Sequence, residues 1–93
     1  MKYLITWRIK EPFEENYKRT MEIEDERVKK GEAWGDKMVF PIHTFMSENK
    51  AFMIVETDDP MDLAKWTTSY LTVLDYVVEP ITDFREIQKL FPK

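Results

Sequence analysis

The clearest pattern of hydrophobic and polar positions is a strict alternation near the start of the chain. Residues 2–10 read KYLITWRIK, and successive side chains of a strand point to opposite faces. One face would be fully apolar, with Tyr3, Ile5, Trp7 and Ile9. The other face would be mixed, with Leu4, Thr6 and Arg8. The alternation predicts a strand with helices packed behind it and a partly polar surface in front.

A helical repeat follows this strand. The pair Glu11-Pro12 breaks the strand, and proline is favoured in the first turn of a helix. Apolar residues then recur close to the helical spacing until Gly31, a residue type that often ends helices; they are Phe13, Tyr17, Met21 and Val28. We therefore expect a helix from Pro12 to Lys30 that buries this apolar stripe.

A β-hairpin is predicted in the middle of the chain. Two strands, Met38 to Met46 and Ala51 to Thr57, flank a connection from Ser47 to Lys50, in which Asn49 stands where a positive φ is expected. This even-numbered connection pairs Met46 with Ala51, His43 with Ile54 and Pro41 with Glu56. An odd-numbered connection would reverse the faces.

The remaining segments have local signals of their own. Trp34, in a loop at residues 32–37, is either a plug over the edge of the core or a contact for a partner, and we favour the plug. Asp59 as N-cap and Pro60 at the first position open a second helix, whose Trp66 should meet Trp7 in the core. A strand at residues 76–82 and a short helix at 83–90 follow.

This order of elements predicts one α+β domain over residues 1–93. The arrangement is the ferredoxin-like βαββαβ fold, with a four-stranded antiparallel sheet in the order 4-1-3-2 and two helices on one face. Pro41 and Pro80 support it, because they fall in the second and fourth strands, which are edge strands where a missing backbone donor is tolerated.

Composition narrows the function classes. The 93 residues suffice for one core, and 43% hydrophobic with 34% charged residues is typical of a folded domain. With no cysteine and one histidine the ordinary zinc spacings are excluded, and we expect neither a metal nor another cofactor. No apolar run approaches about 18 residues and no signal-peptide core is present, so we expect a soluble cytoplasmic protein without a membrane partner. The net charge of −4 argues against nucleic-acid binding.

The face of the sheet without helices, called here the open face, is the expected interaction surface. It should carry Leu4, Thr6, Arg8, Pro41, His43, Phe45, Phe52, Ile54, Glu56, Val77, Glu79 and Ile81. Such a surface is too apolar for water alone, and contiguous apolar surface of this size usually marks an interface. We expect a homodimer in which two open faces pack around a two-fold axis.

Five polar residues of the open face form a candidate cavity: Thr6, Arg8, His43, Glu56 and Glu79. The antiparallel arrangement of the first and fourth strands predicts an ion pair between Arg8 and Glu79. Two readings stay open. In the first, these groups form a satisfied network at the dimer interface. In the second, they form a pocket in which Arg8 binds an anionic or enolic oxygen while His43 or a carboxylate moves a proton.

Three segments carry a resemblance to a known family. KYLITWRI, FMIVETDDP with a tryptophan six residues beyond its proline, and LDYVVEPITD resemble an uncharacterised family of short prokaryotic proteins, a domain of unknown function. That family is similar to the dimeric α+β barrel superfamily, which includes small monooxygenases without a bound cofactor, haem-degrading enzymes and muconolactone isomerases. The resemblance implies a fold and a dimer rather than an activity.

Two functions follow as hypotheses. The first is a homodimeric protein without a demonstrated activity, which binds a small anionic or aromatic ligand or acts as an accessory protein. The alternative is a small cofactor-independent enzyme, of the monooxygenase or isomerase type, that uses a polar cavity around Arg8, His43 and Glu79. Nucleic-acid binding is disfavoured, because Glu56 and Glu79 would repel phosphate.

Overall fold

Four strands and three helices follow one another in the predicted order. A computed structural model describes residues 1–91 of the chain. The elements are β1 (Lys2–Ile9), α1 (Phe13–Lys29), a 3₁₀ turn (Gly35–Lys37), β2 (Met38–Thr44), β3 (Ala51–Glu56), α2 (Pro60–Tyr70), β4 (Leu74–Ile81) and α3 (Phe84–Gln88).

The strands form one antiparallel sheet in the order β2-β3-β1-β4. This confirms the α+β class and the ferredoxin-like strand order. β1 is central, because it pairs with β3 on one side and β4 on the other; Ile5 lies opposite both Met53 and Val78. Pro41 and Pro80 lie in the edge strands, as expected.

The core lies between the sheet and the helices. Ile5, Met53 and Val55 are its most completely buried large side chains. The ring centroids of Trp7 and Trp66 are 5.7 Å apart, which confirms the predicted contact between β1 and α2. Trp34 belongs to the same buried cluster, so the plug interpretation of this loop tryptophan is confirmed.

Local chemistry explains where the two long helices begin and end. The side chain of Asp59 accepts a hydrogen bond of 2.9 Å from the backbone N–H of Met61, and Pro60 occupies the first position of α2. α1 ends before Gly31, whose φ of 73° is a conformation that glycine adopts without steric cost.

The predicted register of the hairpin is wrong. Thr44 lies opposite Ala51, so that His43 faces Phe52 and not Ile54. No non-glycine residue of the described chain has a positive φ, so Asn49 does not adopt one either.

The connection between the paired strands, residues 45–50, is longer than predicted, and this moves the pairing beside the turn. β2 also contains an irregularity farther from the turn. The pairing shifts between Met38 and Phe40 and again between Phe40 and His43. Phe40 therefore shares the open face with His43, in place of the predicted Pro41. A bulge of this kind accommodates the proline, because it removes the need for a ladder donor at that point.

The predicted burial of the α1 stripe is also wrong. Its four residues, Phe13, Tyr17, Met21 and Val28, are between 39% and 58% exposed. The buried side chains of α1 are Thr20, Ile23 and Arg27, which occupy the neighbouring arc of the helix. The apolar stripe is consequently turned away from the closest packing.

A matched pair of valines tests the assignment of the core. Val55→Ala should lower the free energy of unfolding by about 2 kcal/mol, because it removes two buried methyl groups and leaves a cavity. Val39→Ala makes the same change at an exposed position of β2 and should cost no more than about 0.5 kcal/mol. Urea denaturation measures both, and equal losses would contradict the described core.

Candidate functional site

The structure separates Arg8 from Glu79. Arg8 lies opposite Asp75 in β4, whereas Glu79 lies opposite Leu4. Four residues of a strand span about 13 Å, which is too far for contact between the two charged groups. No ion pair within the described residues includes either one, so the predicted Arg8–Glu79 ion pair is wrong.

His43 belongs to an aromatic cluster on the open face. Its ring stacks on Phe40 with centroids 4.7 Å apart and lies 5.8 Å from Phe52, and Phe45 meets Phe52 edge-on. The Nδ1 atom of His43 lies 2.8 Å from the carbonyl oxygen of Pro41. The histidine thus contacts aromatic rings and backbone, and it forms no ion pair within the described residues.

The five candidates do not line one cavity. Thr6 and Arg8 border a depression of about 360 Å³ at one end of the open face. Glu56 lies opposite Lys2 at the other end of β1, and neither Glu79 nor His43 borders the depression. Within a single chain the five residues therefore border no common depression, and their cavity, which was expected at the interface of two open faces, stays a prediction.

A cavity larger than this depression lies on the opposite face of the sheet, between α1 and the strands. This α1 cleft has a volume of about 620 Å³, within the range of small-molecule sites. The exposed stripe of α1 forms one wall, with Phe13, Tyr17, Met21 and Val28. Facing it are apolar side chains of the sheet that include Trp7, Met38 and Met53.

The β2–β3 hairpin closes one side of the α1 cleft, and Asn49 holds it there. The side chain of Asn49 accepts a hydrogen bond of 3.3 Å from the N–H of Ile9 and donates one of 2.9 Å to its carbonyl oxygen. The backbone pairing between β1 and β3 ends at Trp7 and Ala51, the first residue of β3. The amide of Asn49 therefore takes the place of a further backbone pair at Ile9. That role explains the asparagine without a positive φ.

The buried part of the lining contains Arg27, Trp34 and Tyr70. The guanidinium carbon of Arg27 lies 6.0 Å from the ring centre of Trp34 and 5.8 Å from that of Tyr70. One nitrogen of Arg27, Nη2, donates to the carbonyl oxygen of Glu32. Two buried nitrogens, Arg27 Nη1 and Trp34 Nε1, have no acceptor in the described chain.

The surroundings of Tyr70, beside Arg27 and Trp34, raise the pKa of its phenol. Burial raises the pKa of Tyr70 above its ordinary value of 10.0, and the charge of Arg27 offsets part of that increase. Glu24, which also borders the α1 cleft, raises it further. The hydroxyl group therefore keeps its proton at neutral pH.

The loop that carries Trp34 is tied to α2. Lys37 donates a hydrogen bond of 2.7 Å to the carboxylate of Asp62, and the hydroxyl of Thr57 donates to the same oxygen at 2.6 Å. These bonds lower the pKa of Asp62, the bond from Lys37 most strongly. The same contacts fix the position of the loop beside the α1 cleft.

The hydrophobic pattern of the sequence does not identify the α1 cleft. Arginine is usually solvated, so Arg27 carries no signal of burial by itself. The available signal is its spacing: Arg27 follows Ile23 by four residues, which places both on one arc of α1, outside the predicted stripe.

The described chain offers no group of three or more metal-ligating side chains of the His, Cys, Asp and Glu types. Among residues 1–91, no helix combines the length and the apolar character needed to cross a membrane.

The fold and the cleft define a small α+β protein of the ferredoxin-like type. The chain belongs to the family described as "Domain of unknown function (DUF3303)", which it matches over residues 1–93. A search of curated proteins finds no match.

The tie between the loop and α2 predicts a pH dependence of stability. Because the pKa of Asp62 is lowered in the folded chain, its carboxylate stabilises the fold above the unfolded-state value of 3.8, and that stabilisation is lost as the pH falls through the lower folded-state pKa. Asp62→Asn should lower the urea midpoint at pH 7, and the difference from the parent should shrink toward pH 3. A difference that stays constant with pH would contradict this role of the carboxylate.

Proposed function

We propose that this chain is a homodimeric protein that binds a small, largely apolar molecule in the α1 cleft. The observation that carries the proposal is the cleft itself, about 620 Å³ in volume and lined mostly by apolar side chains. Folded chains rarely leave contiguous apolar surface in water without a use for it.

The exposed stripe of α1 supplies the driving force for binding. Removing apolar surface from water contributes about 25 cal/mol per Å², so covering a substantial part of the four stripe residues gives several kcal/mol before the costs of binding are subtracted. Aromatic rings of Phe13 and Tyr17 stack with centroids 5.9 Å apart at one end of the stripe. They offer a flat surface for an aromatic or aliphatic ligand.

The walls of the α1 cleft are held in place without a ligand. Asn49 ties the hairpin to β1, and the contact between Lys37 and Asp62 ties the Trp34 loop to α2. A site that is already formed loses little free energy to ordering when a ligand binds. This supports binding to a preformed site.

A neutral fluorescent probe, N-phenyl-1-naphthylamine, tests the proposed binding. Met21→Asp places a charge in the lining and should weaken probe affinity at least about tenfold, or about 1.4 kcal/mol. Met61→Asp makes the same change at an exposed methionine of α2 outside the α1 cleft and should leave affinity unchanged. Fluorescence titration gives both dissociation constants.

Two results would contradict the proposal. One is probe binding that Met21→Asp and Met61→Asp affect equally. The other is probe binding that disappears as the chain dimerises, because a second copy would then fill the α1 cleft.

The surface area of the chain supports the homodimer. The accessible area is 7039 Å², whereas a folded monomer of 11.3 kDa is expected to expose about 5,700 Å². The excess exceeds the roughly 800 Å² that each subunit buries in a standard interface. The radius of gyration, 15.1 Å, is likewise larger than the roughly 12 Å expected for this chain length.

The charges of the open face favour a second copy as the partner. Two ends of the face bear opposite net charge, with Arg8, Lys50 and Asp75 at one end and Lys2, Glu56 and Glu79 at the other. A two-fold axis in the plane between two open faces and perpendicular to β1 brings each end against its opposite. The aromatic cluster around Phe52, on the β2–β3 side of the sheet, then faces the same cluster of the second copy.

Charge reversal tests this dimer. Arg8→Glu and Glu79→Arg should each weaken dimerisation at least about tenfold, because like charges then face each other, and the double variant should restore it. Lys18→Glu, on the exposed side of α1, is the matched control. Sedimentation velocity over a range of concentrations gives the constants, and a chain that stays monomeric throughout would rule the dimer out.

A further inference from the structure

We infer that the α1 cleft recognises the carboxylate group of an otherwise apolar ligand through Arg27 and Trp34. The inference rests on the small-molecule binding proposed above and adds the chemical class of the ligand. Its basis is a buried positive charge in a lining that is otherwise mostly apolar.

Arg27 is a buried cation without a carboxylate partner. Its side chain borders the α1 cleft, the residue is only 6% exposed, and no ion pair within residues 1–91 includes it. One nitrogen donates to the carbonyl of Glu32, while Nη1 has no acceptor. A buried charge is costly unless it is paired, so this position favours a ligand that supplies the missing anion.

Trp34 adds a second donor beside the first. It is 8% exposed, its indole Nε1–H has no acceptor in the described chain, and its ring lies next to the guanidinium group. A carboxylate has two oxygens and accepts several hydrogen bonds, and it matches the planar arginine fork. A single head group can therefore satisfy both donors.

The acidic residues of the lining do not serve Arg27. They are Glu24 and Glu48, both exposed to solvent, and neither forms an ion pair with Arg27. The two unpaired nitrogens are shielded from water, and both residues border the α1 cleft. Recognition therefore requires a small rotation of these side chains that turns the nitrogens toward a ligand in the cleft. The hydrocarbon part of the ligand then lies along Met21 and Val28.

A pair of ligands of the same shape tests the inference: 2-naphthoate, which is anionic, and 2-naphthamide, which is neutral. Isothermal titration calorimetry at pH 7.5 should show the carboxylate binding about tenfold more tightly, as expected for a hydrogen bond to a charged group. The net charge of −4 makes nonspecific preference for an anion unfavourable.

Each variant is judged by the ratio of its affinities for naphthoate and naphthamide. A change in the shape of the cleft alters both affinities alike and therefore cancels in this ratio. Arg27→Met should abolish the preference for the carboxylate, and Arg27→Lys should keep part of it, because the charge remains but the planar fork is lost. Arg19→Met, on the exposed side of the same helix, should leave the ratio unchanged.

The indole resonances provide a second readout that does not need Arg27 to be changed. The chain has three tryptophans, and Trp34→Phe identifies the Nε1–H signal of Trp34. That signal should move downfield with naphthoate, and less with naphthamide, as its proton gains a charged acceptor.

The outcomes separate this inference from the proposed function. Equal affinity for the two ligands, or a preference that survives Arg27→Met, overturns the carboxylate recognition while binding in the α1 cleft stands. If neither ligand nor the neutral probe binds, the proposed function fails, and the inference fails with it.

Discussion

The guanidinium group of Arg27 is the contact on which the arrangement around the α1 cleft depends. It extends from α1, donates to the loop at Glu32 and lies against the rings of Trp34 and Tyr70, so one side chain joins three segments. The loop also donates a backbone hydrogen bond of 2.8 Å to α1, from the N–H of Glu32 to the carbonyl oxygen of Arg27. Because α1 packs against the rest of the chain through the arc that carries Arg27, the neighbouring apolar arc of the helix faces the α1 cleft. The position of the helix, the burial of Trp34 and the apolar lining of the α1 cleft are therefore linked through Arg27.

The fold could be predicted because its signals are local and agree with one another. The strict alternation of β1 identifies a strand with one core face, and the two neighbours of Ile5 in the sheet confirm it. Asp59 and Pro60 mark the start of α2 by chemistry that needs no tertiary context. The contact of Trp7 with Trp66 then follows from the two faces.

The site could not be predicted because it depends on side-chain details that periodicity does not contain. A two-residue period cannot anticipate the shifts of register in β2, nor the amide of Asn49 that replaces a backbone pair. The stripe of α1 identifies apolar residues but not which of two adjacent arcs is buried. Alternation places Arg8 and Glu79 on the same face of the sheet but does not fix the register between β1 and β4, and four positions along β4 separate Glu79 from the residue opposite Arg8.

Methionine contributes three side chains to the lining of the α1 cleft, Met21, Met38 and Met53. Thioether side chains are unbranched, polarizable and rich in rotamers, so a wall that contains them reshapes itself around different hydrocarbon outlines. Such a wall discriminates poorly between a fused ring, a single ring and a bent alkyl chain. Selectivity among ligands must then come from the polar corner, and a series of molecules that differ in hydrocarbon shape would be accepted with similar affinity.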